Sequence, residues 1–315
     1  MQQIAPDNKG SRRTHGRYSQ VLYSALNTLS FILRHPLNRA NKGAALRRFI
    51  RWQIGSRLLP GAVAVPFVDS TRLLVLPGMT GATGNIYCGL HEYQDMALVL
   101  HALRPGDLFA DVGANIGSYT VLAAGATCLS FEPHPATFAR LLDNVRLNDL
   151  GSIVTARNIA LGASSASLSF TAGLDTVNHV VAEGEVVSDA IHVPVEPLDS
   201  VLSGALLTVM KIDVEGFETE VLNGGSEAFQ SSSLIAVIME LNGSGLRYGY
   251  DESHLHARML GWGFEPASYD PVRRTVTPLQ SRSAVEGNTL YVRDLDALRE
   301  RVLSAPPHTV LGGPL

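Results

Sequence analysis

Two cysteines in 315 residues, Cys88 and Cys128, are too few and too far apart for a disulfide framework or a Cys-x-x-Cys metal clip. Their apolar or glycine-rich, strand-like surroundings read instead as buried thiols in a reducing compartment. Charged residues are scarce at 17% and hydrophobic ones make up 45%, which excludes a disordered chain and supplies apolar surface for one sizeable core. Long hydrophobic runs are absent too: VLYSALNTLSFIL at 21–33 falls short of the roughly 20 residues a bilayer span needs. The first twenty residues are polar and carry no secretory signal, so a cytoplasmic location is expected. No internal repeat or low-complexity tract is evident.

The net charge of −4 conceals a lopsided distribution. Residues 1–60 hold 11 Lys or Arg against the single acid Asp7, while the remainder carries 14 basic and 28 acidic residues. Leu22, Leu26, Leu29 and Leu33 follow helical spacing, and RRFIRWQIGSR at 47–57 sets arginines and Trp52 among apolar residues. We therefore expect a basic helical arm over 1–60 that packs on the rest of the protein or meets the inner membrane surface peripherally. The main domain is expected at 61–300, with 301–315 as a tail.

Beyond Pro60-Gly61, AVAVPFV and RLLVLPG flanking Asp69-Ser70 read as an edge hairpin. HEYQDMALVLHAL (91–103) reads as a helix ended by Pro105-Gly106. Strand-like and helix-like runs then alternate: DLFADVG (107–113), a helix from about Ile116, ATCLSFEP (126–133), a helix over 136–147, and IVTARNIAL (153–161). Such alternation predicts parallel strands, crossover helices and a doubly wound sheet. Residues 162–200 break the rhythm and suggest an inserted antiparallel segment. LLTVMKIDV (206–214), a helix over 216–229 and LIAVIMEL (234–241) restore it, and GFEPASYD (263–270) and NTLYVR (288–293) are expected to close the sheet as an antiparallel hairpin.

The turn FADVGANIGSYT (109–120) must explain an acid, two glycines and an asparagine where a strand yields to a helix. A dinucleotide fingerprint would need glycine where Asn115 and Ser118 stand, and a Walker loop would need a lysine after Gly117. An acid at the strand end, Asp111, suits a ligand ammonium directly or through water, and backbone amides at a helix start suit a carboxylate. The methionyl half of S-adenosylmethionine offers both groups. Glu132, 21 residues later in FEPHP, is placed to accept hydrogen bonds from ribose hydroxyls, and Ala160 in NIAL to border an adenine.

PGDLFADVGANIGSYT, FEPHPATFARLLDNVRLN, VPVEPLDSVL and MKIDVEGFETEVLNGG, followed by IMEL, together resemble the FkbM family of S-adenosylmethionine-dependent methyltransferases over about residues 90–242. The resemblance implies a class I methyltransferase fold: a Rossmann-like, doubly wound, mostly parallel α/β sheet with an antiparallel terminal hairpin. It also implies methyl transfer to a hydroxyl oxygen of a glycan or secondary metabolite. On the same basis Asp111, Gly113, Asn115 and Gly117 look like the cofactor loop and Glu132 like the ribose acid. The alternative is a membrane-peripheral, non-catalytic binding protein that keeps the fold. A nucleic-acid acceptor is disfavoured, because the motif-bearing part is acidic and lacks the [DNS]-P-P-[YF] signature.

Ligands of doubly wound sheets lie beyond the carboxyl ends of the strands. Asp213 and Glu215 at the fourth strand end are therefore candidate catalytic residues, as is His179 in the insertion, with Asp175, Thr176 and Asn178 placed to orient it or bind sugar hydroxyls. Strand-end acids also serve as helix caps, and Lys211 and Glu218 read as structural. No trio has metal-ligand spacing and no metal is expected, although Asp213, Glu215 and Glu240 could converge on Mg²⁺ from separate strands.

Overall fold

The computed structural model describes residues 26–58, 61–174, 177–282 and 287–315. Residues 1–25, where part of the apolar run 21–33 falls, lie outside them, as do Asp175 and Thr176. The arm is helical where described: α1 covers 26–34 and α2 covers Lys42–Leu58. Next, β1 (Val63–Pro66) and β2 (Arg72–Val75) pair antiparallel as a separate two-stranded sheet. The hairpin is as expected, but it stands apart from the main sheet rather than at its edge. The open side of β2 is closed instead by side-chain carbonyls of a helix, Asn144 and Asn148, which accept from the Leu74 and Arg72 amides.

A helix absent from the sequence reading, α3 (Thr80–Cys88), precedes α4 (Tyr93–Ala102). Its sequence, TGATGNIYC, is poor in strong helix formers, so tertiary contacts from α2 outweigh local propensity. Cys88 accordingly ends a helix rather than lying in a strand, and both thiols are buried and free.

The central unit follows as β3 (Leu108–Val112), α5 (Ser118–Leu122), β4 (Thr127–Phe131), α6 (Pro135–Leu147) and β5 (Val154–Arg157). The expected strand 153–161 is split. Its second half, β6 (Ala160–Leu161), leaves the main sheet and pairs parallel with β8 (Ala190–Glu196), which pairs antiparallel with β7 (Ala166–Thr171). The insertion is therefore a mixed three-stranded sheet rather than a purely antiparallel one.

After α7 (Leu198–Leu202) and β9 (Val209–Ile212), the helix expected over 216–229 is broken into α8 (Glu218–Asn223) and α9 (Ser226–Gln230). The break lies at Gly224, where a Cβ would sit 2.0 Å from the Gly162 carbonyl oxygen; the insertion presses too closely on the backbone for any side chain. The remainder is β10 (Ala236–Glu240), α10 (Glu252–Gly261), β11 (Glu265–Asp270), β12 (Thr275–Pro278), β13 (Asn288–Val292) and α11 (Leu295–Ser304), with a small β14–β15 hairpin (Thr309–Val310, Gly313–Pro314).

The eight-stranded sheet runs β12-β11-β13-β10-β9-β3-β4-β5, parallel from β10 through β5. The two late strands pair antiparallel as expected, but β13 inserts between β10 and β11, and β12 forms an unforeseen outer edge. The boundary at 300 falls inside α11, which packs on α4, and His308 and Thr309 bind Asp69 in the β1–β2 turn.

Strand alternation distributes the core. On β3, Ala110 and Val112 join the apolar layer under α8, α9 and α10, whereas Phe109 joins the layer under α4, α5 and α11. Asp111 shares Phe109's face, and in the parallel register it lies beside Ser130 of β4 and Lys211 of β9. A polar row thus crosses the interior of an otherwise apolar sheet, just below the carboxyl ends of the strands.

Candidate active site

Two hollows meet at the carboxyl edge of β3, β4 and β9. The first encloses roughly 490 Å³ of space, solvent at its mouth included, between Phe131, Pro133, Ile159, Ala160 and Leu161 on one side and Val214 and Phe217 on the other. The second, of about 1070 Å³, is bordered by Asn85, His91, Glu92, Tyr119, Lys211 and Glu240. Gly113, Asp213 and Glu215 line both.

The loop that separates them is shaped by close approach. Gly113 has φ +80°, and a Cβ there would lie 1.8 Å from the carbonyl oxygen of Asp213, so only glycine lets the ends of β3 and β9 converge. Asn115 and Glu215, both in the second hollow, also hold left-handed backbone at φ 50° and 55°. Such strain in residues with side chains costs on the order of 1–3 kcal/mol and gathers at working sites. Gly117 caps α5 in left-handed conformation.

Glu132 is buried at the end of β4, its Oε2 accepting from the Asn115 amide at 3.0 Å and its Oε1 from the His134 amide at 2.8 Å. Burial pushes its carboxyl up to about 7 against the pull of those two amides. Asp111 lies behind the loop rather than on the surface of either hollow. Its Oδ2 accepts from the Thr120 hydroxyl at 2.6 Å, while Oδ1 is buried with no hydrogen-bond partner among the described residues. Burial raises its pKa, opposed by Lys211 and Thr120.

Lys211 is buried, with Nζ 2.8 Å from Asp213 Oδ2 and 4.8 Å from the centre of the Tyr119 ring. Burial alone would lower its pKa, but Asp213, Glu92 and Asp111 outweigh burial and hold it above the ordinary range. Reciprocally, burial acts to raise Asp213, yet the Lys211 charge and hydrogen bond keep it below the usual carboxylate value. Tyr119 donates to Glu92 Oε2 at 2.8 Å, and Asn288, paired with Glu240 in the sheet register, donates to Glu92 and Asp95. Lys211 carries more of the site than its structural reading implied, and Tyr119, Glu92 and Asn288 were missed. Their convergence depends on strand register and not on local spacing.

Ligand oxygens of Asp213, Glu215 and Glu240 lie within 4.8 Å of one another, close enough to share a cation. The cluster already holds one positive charge, that of Lys211. Burial and then the charges of Asp213 and Glu215 push Glu240 up to about 9, and burial followed by Asp213 pushes Glu215 to about 7. Near neutrality Glu240 therefore keeps its proton and shares it with Asp213.

Glu240 also sets a sign for stability. Its folded value of about 9 lies above the 4.5 of a free carboxyl, so between those pH values unfolding releases a proton and rising pH favours the unfolded chain. Glu240→Gln, which mimics the protonated form, should match the wild type near pH 5 and melt on the order of several degrees higher by pH 8. Thermal melts across that range check this; a wild-type-to-variant difference independent of pH would contradict it.

His179 has another occupation. Its Nδ1 lies 2.9 Å from the Val177 carbonyl and its Nε2 3.0 Å from Glu185, inside the insertion. The expectation of a catalytic His179 is corrected accordingly: both ring nitrogens are engaged, and its neighbours Asn178 and Val180, not His179, line the first hollow. Ala160 borders that hollow.

Residues 111–266 match the family described as methyltransferase FkbM domain. The chain is 33% identical over 152 residues to the hexuronic acid methyltransferase AglP of Haloferax volcanii, covering 46% of this chain and 61% of that protein. It is 31% identical over 148 residues to methyltransferase 1 of Beauveria bassiana, covering 38% and 59%. The alignments thus span about three fifths of the length of these relatives. Among solved structures, the methyltransferase FkbM of Methylobacillus flagellatus KT is similar with a TM-score of 0.42 and 16% identity, over 78% of this chain and 59% of that one. Through the domain at 111–266, the chain is a member of the FkbM methyltransferase family.

Proposed function

We propose that this protein transfers a methyl group from S-adenosylmethionine to a hydroxyl oxygen of an uncharged sugar or similar polyol. The observation that carries the reading is the meeting of an apolar hollow and an acid-lined one at Gly113, Asp213 and Glu215. The cofactor, when bound, supplies an electrophilic sulfonium methyl. The residues fit it: Glu132 beside Pro133 suits the ribose hydroxyls, Ile159, Ala160 and Leu161 an adenine, and the unpartnered Asp111 Oδ1 remains for the ammonium, through water, behind the Gly113–Gly117 turn.

What the chain itself contributes is alignment and proton removal. Alignment can supply roughly 7–11 kcal/mol at its best. Glu215, poised at about 7, is matched to take the hydroxyl proton near neutral pH. Asp213, held ionised by Lys211, accepts a hydrogen bond that orients the acceptor.

The second hollow also argues for the charge of the acceptor. Glu92, Asp213, Glu215 and Glu240 border it, while its lysine is already bound to Asp213. A uronate carboxylate, of the kind named for the Haloferax relative, would meet Glu92 and the titrating Glu215 without a free Lys or Arg among the described lining residues. Incubation with methyl-labelled cofactor, in excess EDTA, with neutral glycans or with uronates tests the reading. The expected result is a base-stable methyl ether on the neutral acceptor, at an undiminished rate. Label found only in base-labile esters or on nitrogen would overturn it.

A further inference from the structure

The arm presents a surface that methyl transfer does not use. On α2, Leu46, Ile50, Ile54 and Leu58 recur every fourth residue, with 38%, 47%, 55% and 72% of their surface exposed. Side chains four apart stack on one helix face, so these form a continuous aliphatic ridge. Arg47 and Arg51, also exposed, form the adjacent ridge, and residues 26–58 contain seven Lys or Arg and no acid.

The opposite face of α2 is docked. Trp52 and Ala45 are buried, Arg48 donates to the Tyr87 carbonyl at 3.2 and 3.0 Å, and Gln53 donates to the Tyr87 hydroxyl at 3.0 Å. The ridge is therefore held outward by a fixed helix on the body of the protein. Trp52, which the sequence suggested for the surface-binding face, belongs to the docked side.

We infer that this face of α2 lies on an anionic lipid surface, its aliphatic ridge at the boundary of the acyl chains and its arginines among the headgroups. The chemistry separates the candidate occupants. A nucleic acid would answer the arginines but not four exposed aliphatics. A second copy meeting it through the same face would set Arg47 and Arg51 against their own counterparts. Residues 1–25, with Lys9, Arg12, Arg13 and Arg17 against Asp7, are themselves basic and offer no complementary charge. Of these occupants, an anionic membrane surface satisfies both ridges at once. No described helix is long and apolar enough to cross a membrane, so the contact is peripheral.

The test uses the full chain and sedimentation with vesicles of phosphatidylcholine alone or with about a third phosphatidylglycerol. The wild type is expected to partition at least tenfold better onto the anionic vesicles and to release at about 0.5 M salt. Ile50→Glu/Ile54→Glu should abolish partitioning while leaving melting temperature and S-adenosylhomocysteine binding unchanged, which shows that the fold survives. Arg47→Ala/Arg51→Ala should weaken partitioning and leave the same two controls intact. Equal partitioning on both vesicles, none on either, or full retention by the Ile50/Ile54 variant would overturn the inference. So would a concentration-dependent dimer in sedimentation velocity that the same substitutions dissolve, since the face would then belong to a second copy.

Discussion

Glu132→Ala is expected to weaken binding of S-adenosylhomocysteine by roughly 100-fold or more, because hydrogen bonds to a charged acceptor contribute about 1.5–3 kcal/mol each and the ribose offers two. The side chain also accepts from the Asn115 and His134 amides, so the alanine leaves two donors unpaired beside the cofactor turn. Glu132→Gln separates these effects: it keeps an acceptor for one amide but cannot carry charge. The carboxyl titrates near 7, and its ionised form accepts from both hydroxyls, so wild-type affinity should rise from pH 6 to pH 8 and level above. Glu132→Gln should lose that rise. Calorimetry at several pH values reads both; unchanged affinity in Glu132→Ala would remove the cofactor assignment.

The second large effect falls on turnover. Glu215→Gln should lower kcat by about 100-fold to 10,000-fold, the usual contribution of a positioned base, with cofactor affinity retained. In the wild type, kcat at saturation should climb with pH up to about 7 and then level, since the deprotonated carboxyl is the active form. A variant with wild-type kcat, or one whose kcat keeps the same pH profile, would assign the base elsewhere. Asp213→Asn is a poorer probe, because it strips a buried lysine of its nearest counter-charge and so perturbs stability as well as chemistry. That lysine is Lys211, whose Nζ has Asp213 at 2.8 Å.

The tight turn after β3 was legible in the sequence because its physics is local. Gly113, Asn115 and Gly117 fall within one five-residue turn, and the step from Asp111 to Glu132 is one helix and one strand. The parallel order of β3, β4, β9 and β10 followed from alternation in the same way. What escaped depends on contacts between distant segments. Lys211 became part of the site by lying next to Asp111 across a strand pair, and Asn288 by lying opposite Glu240. The break between α8 and α9 required the Gly162 carbonyl to approach from the insertion. α3 is a weak helix by composition, held by α2 and by the Asn85 side chain, which accepts from the His91 amide.

The split of the third strand ties the apolar hollow to the insertion. Ala160 and Leu161 form one wall of the apolar hollow and, as β6, are also hydrogen-bonded into the small sheet of the insertion. The insertion also brings Phe170, Asn178 and Val180 to the lining of the same hollow. On the proposed reading, an acceptor that displaces the insertion would reshape the wall assigned to the adenine, and occupation of that wall would restrain the insertion. Thermodynamic linkage would then make the effect reciprocal, each substrate changing the other's affinity by the same factor.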